Sequence, residues 1–424
     1  MSTNVEIPED IDSIALKFLD LRGKAREIRV PPEMWDVVKE DGVSFDSSNV
    51  GFTAVSESDM IAVPEPSSMK VLDYGNEKVA VFLCEMEWPD GEAFEGDPRY
   101  MLRKTIEELS ERGIEIHVKP EYEFHLLDDE TLEPRDTGYY IDGRTGYTGM
   151  VGQLAKTMQK YDFEVEKIHH EAGPGQYEIE PLPYEDPIEA ADEFIFIKEI
   201  VKKKARENGA HATFMPKPVP KEAGNGLHIH MSLFQDSEYM FSPDEVNEKA
   251  AGFVGGLLEH ARALSGIVSP TINSYKRLVP GYEAPVYISW GGENRSVLVR
   301  IPAYGSSEEE KGRVEYRAGD ASANIYLMLN SLIQAGMDGM ERPLDPGEGT
   351  KENLFEKSEQ EIKNMGIEFL PVNLSEAMKE LEKDEVIRGS LGESYKYYKK
   401  LKKQEILEFS RDITDWELEN YIDY

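Results

Sequence analysis

Hydrophobic periodicity divides the chain into a short, strand-rich head and a longer body in which helices alternate with strands. Apolar-rich segments predict strands over Ser13–Leu19 and Ala25–Val30, joined across Asp20–Lys24. Pro31-Pro32 opens a short helical pattern through Val38, because proline is pre-set for a first helical turn. The stretch 41–59 is rich in Gly, Ser and Asp and is expected to be loop, with strands following at Lys70–Leu72 and Val79–Glu85 before the Pro89-Asp90-Gly91 turn. From Asp97 onward the pattern predicts helices at Arg99–Arg112, Thr148–Tyr161, Asp186–Asn208 and Pro243–Ser265. Strands are expected at Glu115–Leu127, Gly175–Pro181, Gly226–Phe234, Pro285–Ser289, Ser296–Ile301 and Arg313–Arg317, and the Lys- and Glu-dense tail beyond Asn353 reads as helical. The change of pattern places a domain boundary at 97/98, giving units 1–97 and 98–424.

Charge narrows the function. The 424 residues hold 47 Lys+Arg against 83 Asp+Glu, a net charge of −36. Phosphate-backbone binding needs a basic surface, so nucleic acid is not expected as a partner. An anionic membrane surface is disfavoured for the same reason, and no apolar run approaches the roughly 18–20 residues of a membrane span. The start lacks the basic, apolar and small-residue regions of a signal peptide, so a cytoplasmic location is expected. The acidity has two readings, an ordinary solvated surface and adaptation to high salt. Cys84 is the single cysteine, which excludes an intrachain disulfide and a Cys-based metal centre.

Four segments carry candidate chemistry. Glu121 and Glu123 lie two apart in an apolar strand pattern, so they share one face and repel each other unless a cation lies between them. His169-His170-Glu171 and Gly175-Gln176-Tyr177-Glu178 follow, and Gly224–Ser232 sets His228, His230 and Ser232 on one strand face. Arg313, Glu315 and Arg317 alternate on another. Taken singly, each has an ordinary structural explanation, a solvated face or a cross-face ion pair. Together they suit Mg²⁺ or Mn²⁺ better than Zn²⁺, and arginines beside such ions suit phosphoryl transfer.

Longer motifs resemble a known family. Asn273–Pro285 (NSYKRLVPGYEAP), Asn294–Pro302, His211–Pro218, Gly175–Glu178 and Glu121–Glu123 are similar, in this order, to glutamine synthetase of the shorter prokaryotic type I. Phe45-Asp46, Glu57–Met60 and Thr414–Glu417 extend the match from about residue 10 to 420. The resemblance implies an α+β fold: a small N-terminal β-grasp-like domain and a large catalytic domain on a curved antiparallel sheet flanked by helices. It implies ligation of ammonia to L-glutamate with ATP through a γ-glutamyl phosphate. Two divalent ions, Mg²⁺ or Mn²⁺, would be held by Glu123, Glu171 and Glu178 and by Glu121, His228 and Glu315. His230 and Ser232 would face the nucleotide, Arg295 and Arg300 the phosphates, and Arg277 and Arg317 the two ends of glutamate, with Gly224 in the substrate loop. Glu283 would be the flap carboxylate, while Asp46 and Tyr140 would line the ammonium pocket. Asp46 would come from a neighbouring subunit of a ring-type homo-oligomer, a dodecamer, and a nitrogen-regulatory protein is a further partner the resemblance suggests.

The chain also departs from the family pattern. Phe45–Gly51 is one residue short and lacks the turn glycine, and the loop asparagine of the glutamate site has moved to Asn225. Phe355 stands where some relatives carry a modifiable tyrosine, and Ala54 where several carry a feedback-sensing arginine. The shortened loop leaves a γ-glutamyl ligase of the same fold that takes a larger amine as an alternative. A catalytically weak regulatory paralogue is the other.

Overall fold

The computed structural model describes residues 5–136, 148–236, 238–240, 248–282, 284–302 and 312–424. Glu283 and Tyr140 therefore lie outside the described residues. In the head, strands β1 (Ser13–Leu19), β2 (Ala25–Val30), β3 (Val43–Asp46), β4 (Asp59–Pro64), β5 (Lys70–Asp73) and β6 (Lys78–Glu87) form one sheet in the order β2-β1-β6-β4-β3, with β5 also on β6. β1 and β6 run parallel, and the other pairs are antiparallel. The helix Trp35–Asp41 covers the sheet by stacking Trp35 on Phe82, ring centroids 4.4 Å apart. The expected loop over 41–59 in fact holds β3 and the start of β4: Val43 and Phe45 supply the alternate apolar positions, although Gly, Ser and Asp dominate the composition.

The body is built on a second sheet: β7 (Ile114–Asp128), β8 (Val165–His170), β9 (Gln176–Pro181), β10 (Ala210–Thr213), β11 (Leu227–Gln235) and β12 (Glu238–Tyr239), with β14 (Trp290–Gly291), β15 (Val299–Arg300) and β16 (Val314–Tyr316). Its order is β14-β15-β16-β11-β7-β9-β8, with β10 on β7 and β12 on β11. Among the described strands of this second sheet, only the β14–β15 pair is parallel. β13 (Tyr287–Ile288) and β17 (Glu368–Phe369) make a separate two-stranded ribbon.

Helices back this sheet. Pro98–Glu111 starts on Asp97, whose carboxylate accepts from Arg99 and Tyr100 N–H, and Pro187–Glu207 starts on Asp186 in the same way. The expected helix over Pro243–Ser265 is two, Glu248–Glu259 and Ala261–Val268, broken at His260. Helix Ile325–Glu341 packs against Glu248–Glu259 through facing glycines. A Cβ on Gly339 would come within 2.1 Å of the Gly252 carbonyl oxygen, so only glycine permits this approach.

The two units are joined by polar contacts. Arg99 donates to both Asp192 oxygens, at 3.1 and 2.9 Å, and to Glu85 of β6 at 2.9 Å. Asn324 donates to the Asp20 carbonyl at 3.0 Å, tying the β1–β2 turn to the segment that follows β16. Cys84 is buried in β6, and burial pushes its thiol well above the usual range, so it is core.

Candidate active site

Register alone gathers the chemical residues. Antiparallel pairing sets His228 of β11 opposite Glu121 of β7, and Glu123 opposite Glu178 of β9. It also sets His169 of β8 opposite Glu178, Glu315 of β16 opposite His230, and Arg300 of β15 opposite Glu315. The result is a row crossing the sheet at the floor of a cavity of about 320 Å³.

Six glutamates line the cavity with six Lys and Arg side chains and three histidines, and the acids crowd together along its floor. His228 Nδ1 lies 3.1 Å from Glu121 Oε2, and His230 Nε2 lies 2.8 Å from Glu121 Oε1. Arg313 Nε donates to the other His230 nitrogen at 3.1 Å, which orients the ring. Against a burial that would raise it, His230 and His228 hold Glu121 well below the carboxylate range. Glu315 is likewise held down to about 2: burial opposes ionisation, but Arg317 and His230 outweigh it. Arg317 bonds Glu315 directly, and Arg300 donates to its other oxygen at 2.8 Å.

Glu178 behaves in the opposite way. Burial, then the charge of Glu121, raises it well above the ordinary range, although His169 pulls it down. Glu171 is raised by burial and Glu123. Two acids that resist ionisation beside two held as anions make a cluster whose charges a divalent cation would balance. Ligand atoms lie within 4.8 Å of one another in three groups: Glu121, His230 and Glu315; Glu121, Glu178 and His228; and His169, Glu171 and Glu178. Carboxylate oxygens with one imidazole per group fit a hard divalent cation.

The rim is shaped by glycines and arginines. Glu123 accepts from Gly226 N–H at 2.6 Å and from Gln176 Nε2 at 2.9 Å. A Cβ on Gly226 would lie 2.6 Å from an Arg277 nitrogen, and one on Gly224 would lie 2.3 Å from the Pro216 carbonyl oxygen. Arg277 is 5% exposed and donates only to main-chain oxygens, of Ala318 at 3.0 Å, Gly319 at 3.2 Å and Arg317 at 3.2 Å. Burial lowers its pKa, and the charges of Glu123 and Asp320 offset the loss of water only in part. Arg317 Nε and Arg300 Nε are buried without a hydrogen-bond partner.

Of the residues expected from the sequence, Glu121, Glu123, Glu171, Glu178, His228, His230, Glu315, Gly224, Arg277, Arg295, Arg300 and Arg317 line this one cavity. Ser232 lies further along β11, opposite His117, in a small recess with Lys119 and His230. Asp46 is not brought in: it is exposed on the head sheet, where it caps the turn at Ser47–Asn49. Glu180 and Lys167 also line the cavity without having been expected, 2.7 Å apart. Glu178-Ile179-Glu180 repeats the alternate-carboxylate pattern of Glu121-Tyr122-Glu123, and that repetition was the available signal.

An acid-lined floor suited to divalent cations and an arginine rim, beside a separate head sheet, fit an enzyme of the phosphoryl-transfer class. The chain belongs to the glutamine synthetase family: the catalytic-domain model matches residues 95–421 and the beta-Grasp-domain model residues 10–89. It is 40% identical to the glutamine synthetase of Pyrococcus abyssi over 96% of each chain. It is 38% identical to that of Thermotoga maritima over 98% of this chain and 97% of the relative, and 37% to that of Halobacterium salinarum over 98% and 94%. A solved structure of a GmaS/ADP complex superposes with a TM-score of 0.88 at 29% identity, covering 98% of each chain.

Proposed function

We infer that the protein ligates ammonia to L-glutamate with ATP, giving glutamine, ADP and phosphate. The observation that carries this reading is the single cavity in which a floor of clustered glutamates and histidines meets Arg277, buried and bonded to main-chain oxygens. Glu123, Glu171 and Glu178 with Glu121, His228 and Glu315 would hold Mg²⁺ or Mn²⁺, which when bound neutralises phosphate charge and aligns the nucleotide. Arg277, with no carboxylate of its own, is the group left to grip the glutamate α-carboxylate bidentately. Arg317 faces the γ-carboxyl end from the Glu315 side. Arg295 and Arg300 take the transferring phosphoryl oxygens, and His230 with Ser232 the rest of the nucleotide tail.

The γ-carboxylate attacks the terminal phosphorus of ATP, giving an acyl phosphate and ADP. Ammonia, freed of the proton it carries as ammonium, then displaces phosphate. Glu283 and Asp46 are the carboxylates assigned to bind ammonium and accept that proton. Asp46 lies away from its own chain's cavity, which supports supply of this group by a second copy in a ring assembly.

The test is phosphate release from ATP and glutamate with Mg²⁺ or Mn²⁺. Release is expected to depend on ammonium. Release with a primary amine or polyamine but not ammonium would overturn the acceptor assignment, and none with either would overturn the reading as an enzyme.

A further inference from the structure

A second cleft, of about 850 Å³, opens on another part of the molecule, between the β1–β2 turn, the helix Pro187–Glu207 and β10. Its charge runs against that of the whole chain. In a protein of net charge −36, five cations converge on it from three places: Arg22 and Lys24 on the turn, Lys198 midway along the helix, and Lys202 and Arg206 near its end. Among the described residues none of these five has a carboxylate within 4.0 Å. The neighbouring Lys17 and Arg26 are satisfied, by Glu199 and Glu27 and by Asp20.

Helix-end electrostatics explain only part of this. Cations in a last turn complement the helix dipole, and Lys203 and Lys204 there also pair with Glu207. That accounts for neither the turn residues nor Lys198. Lys198 donates to the Ala321 carbonyl at 2.7 Å and sits over the rings of Phe194 and Phe214, at 4.9 and 5.6 Å. Burial, then the nearby Lys202, pulls it down to about 7, so it is partly charged at neutral pH and a bound anion would favour its protonated form. The turn is held rigidly where the cations need it: a Cβ on Gly23 would lie 2.7 Å from the Ala323 carbonyl oxygen, and Asn324 anchors Asp20.

We propose that this cleft is a second anion site, separate from the catalytic cavity, built for a phosphorylated metabolite of nucleotide size. Four cations without an ion-pair partner, with Lys198 able to take up a proton beside them, call for several negative charges on one ligand. The Arg22 and Arg206 guanidiniums suit phosphate oxygens. The volume falls among ligand sites that take more than a small dicarboxylate, and exposed Met215 at the wall offers an apolar surface for the rest of the molecule.

The probe is inorganic tripolyphosphate, titrated calorimetrically into the full-length protein in EDTA, which leaves the catalytic acids without a metal to recruit phosphate. One site per chain is expected, with at least tenfold weaker binding in Arg22→Ala/Lys202→Ala and unchanged binding in Arg295→Ala. Hydrogen exchange should slow at residues 20–24 and 318–324 on binding. The proposal is overturned by no binding at millimolar probe, by equal binding in the double variant, or by loss in Arg295→Ala. Citrate binding in the cleft where tripolyphosphate fails would overturn the phosphate class. None of these outcomes depends on the ligase reading, which the phosphate-release assay tests separately.

Discussion

The head sheet and the body sheet both bury apolar strands, but the body sheet gives one of its faces to charged residues. In the head, β6 buries Val79 through Leu83 without a break, beside Ile14, Ala15 and Leu16 of β1. In the body, β7, β9, β11 and β16 bury Glu123, Glu178, His230 and Glu315, with Glu315 only 1% exposed. Aliphatic burial stabilises, whereas burial of like charges costs several kcal/mol unless something neutralises them. The body sheet divides its two faces: Val118, Tyr122, Phe124, Ile229 and Met231 pack into the apolar core, while the alternate positions carry the charged row.

The largest expected effect falls on the head. Phe82→Ala removes the ring stacked on Trp35 and should cost about 3–5 kcal/mol in denaturant unfolding. The turnover of the protein that remains folded should be unaltered. Glu178→Gln should do the reverse. The amide mimics the protonated acid that burial and Glu121 already favour, so stability should move by less than about 0.5 kcal/mol. Turnover should fall on the order of 10²–10³-fold. If Phe82→Ala struck turnover and Glu178→Gln struck stability, the two sheets would not be divided as described.

Two smaller tests probe the backing. Gly339→Ala pushes a methyl into the Gly252 main chain and should cost about 1–3 kcal/mol in the same unfolding measurement. His260 lies between Asp384 Oδ2 at 2.6 Å and Asp338 Oδ2 at 2.9 Å. Burial works against its protonation, but the two aspartates win and raise it above the ordinary 6.5. Its contribution is therefore full below pH 6.5 and lost as pH rises through the higher folded value. His260→Gln should cost about 1 kcal/mol at pH 6 and almost nothing at pH 9. An equal loss at both values would show that the charge is not what holds this junction.

Much of the fold could be read locally because its signals are local. Asp97-Pro98 and Asp186-Pro187 mark helix starts by capping and proline placement, and alternation marks β1, β7 and β11. Helix Ile325–Glu341 escaped because it is buried on nearly every side and so has no polar face to give it a period. β3 was hidden by the Gly- and Ser-rich turn that follows it. In the site, Glu121 and Glu123 announced a cation by their spacing, but nothing local says that Glu178, His228 and Glu315 arrive beside them. That is set by strand register across long separations, and only the family motifs carried it. Lys167 and Glu180 belong to no motif used, and the cleft cations lie far apart in sequence, so both needed the assembled chain.

The long strand β7 also sets a schedule. It leaves the ribosome carrying Glu121 and Glu123, yet its partner β11 begins at Leu227 and β16 ends only at Tyr316. β8 and β9 can bring His169, Glu171 and Glu178 beside Glu123 early, but the groups that need His228, His230 and Glu315 wait for that last stretch to emerge. The head can complete its strands by Glu87, and so it stands ready as a docking face before the chemistry is assembled. Catalytic competence is thus one of the last properties this polypeptide acquires, arriving together with the contact that ties Asp20 to Asn324.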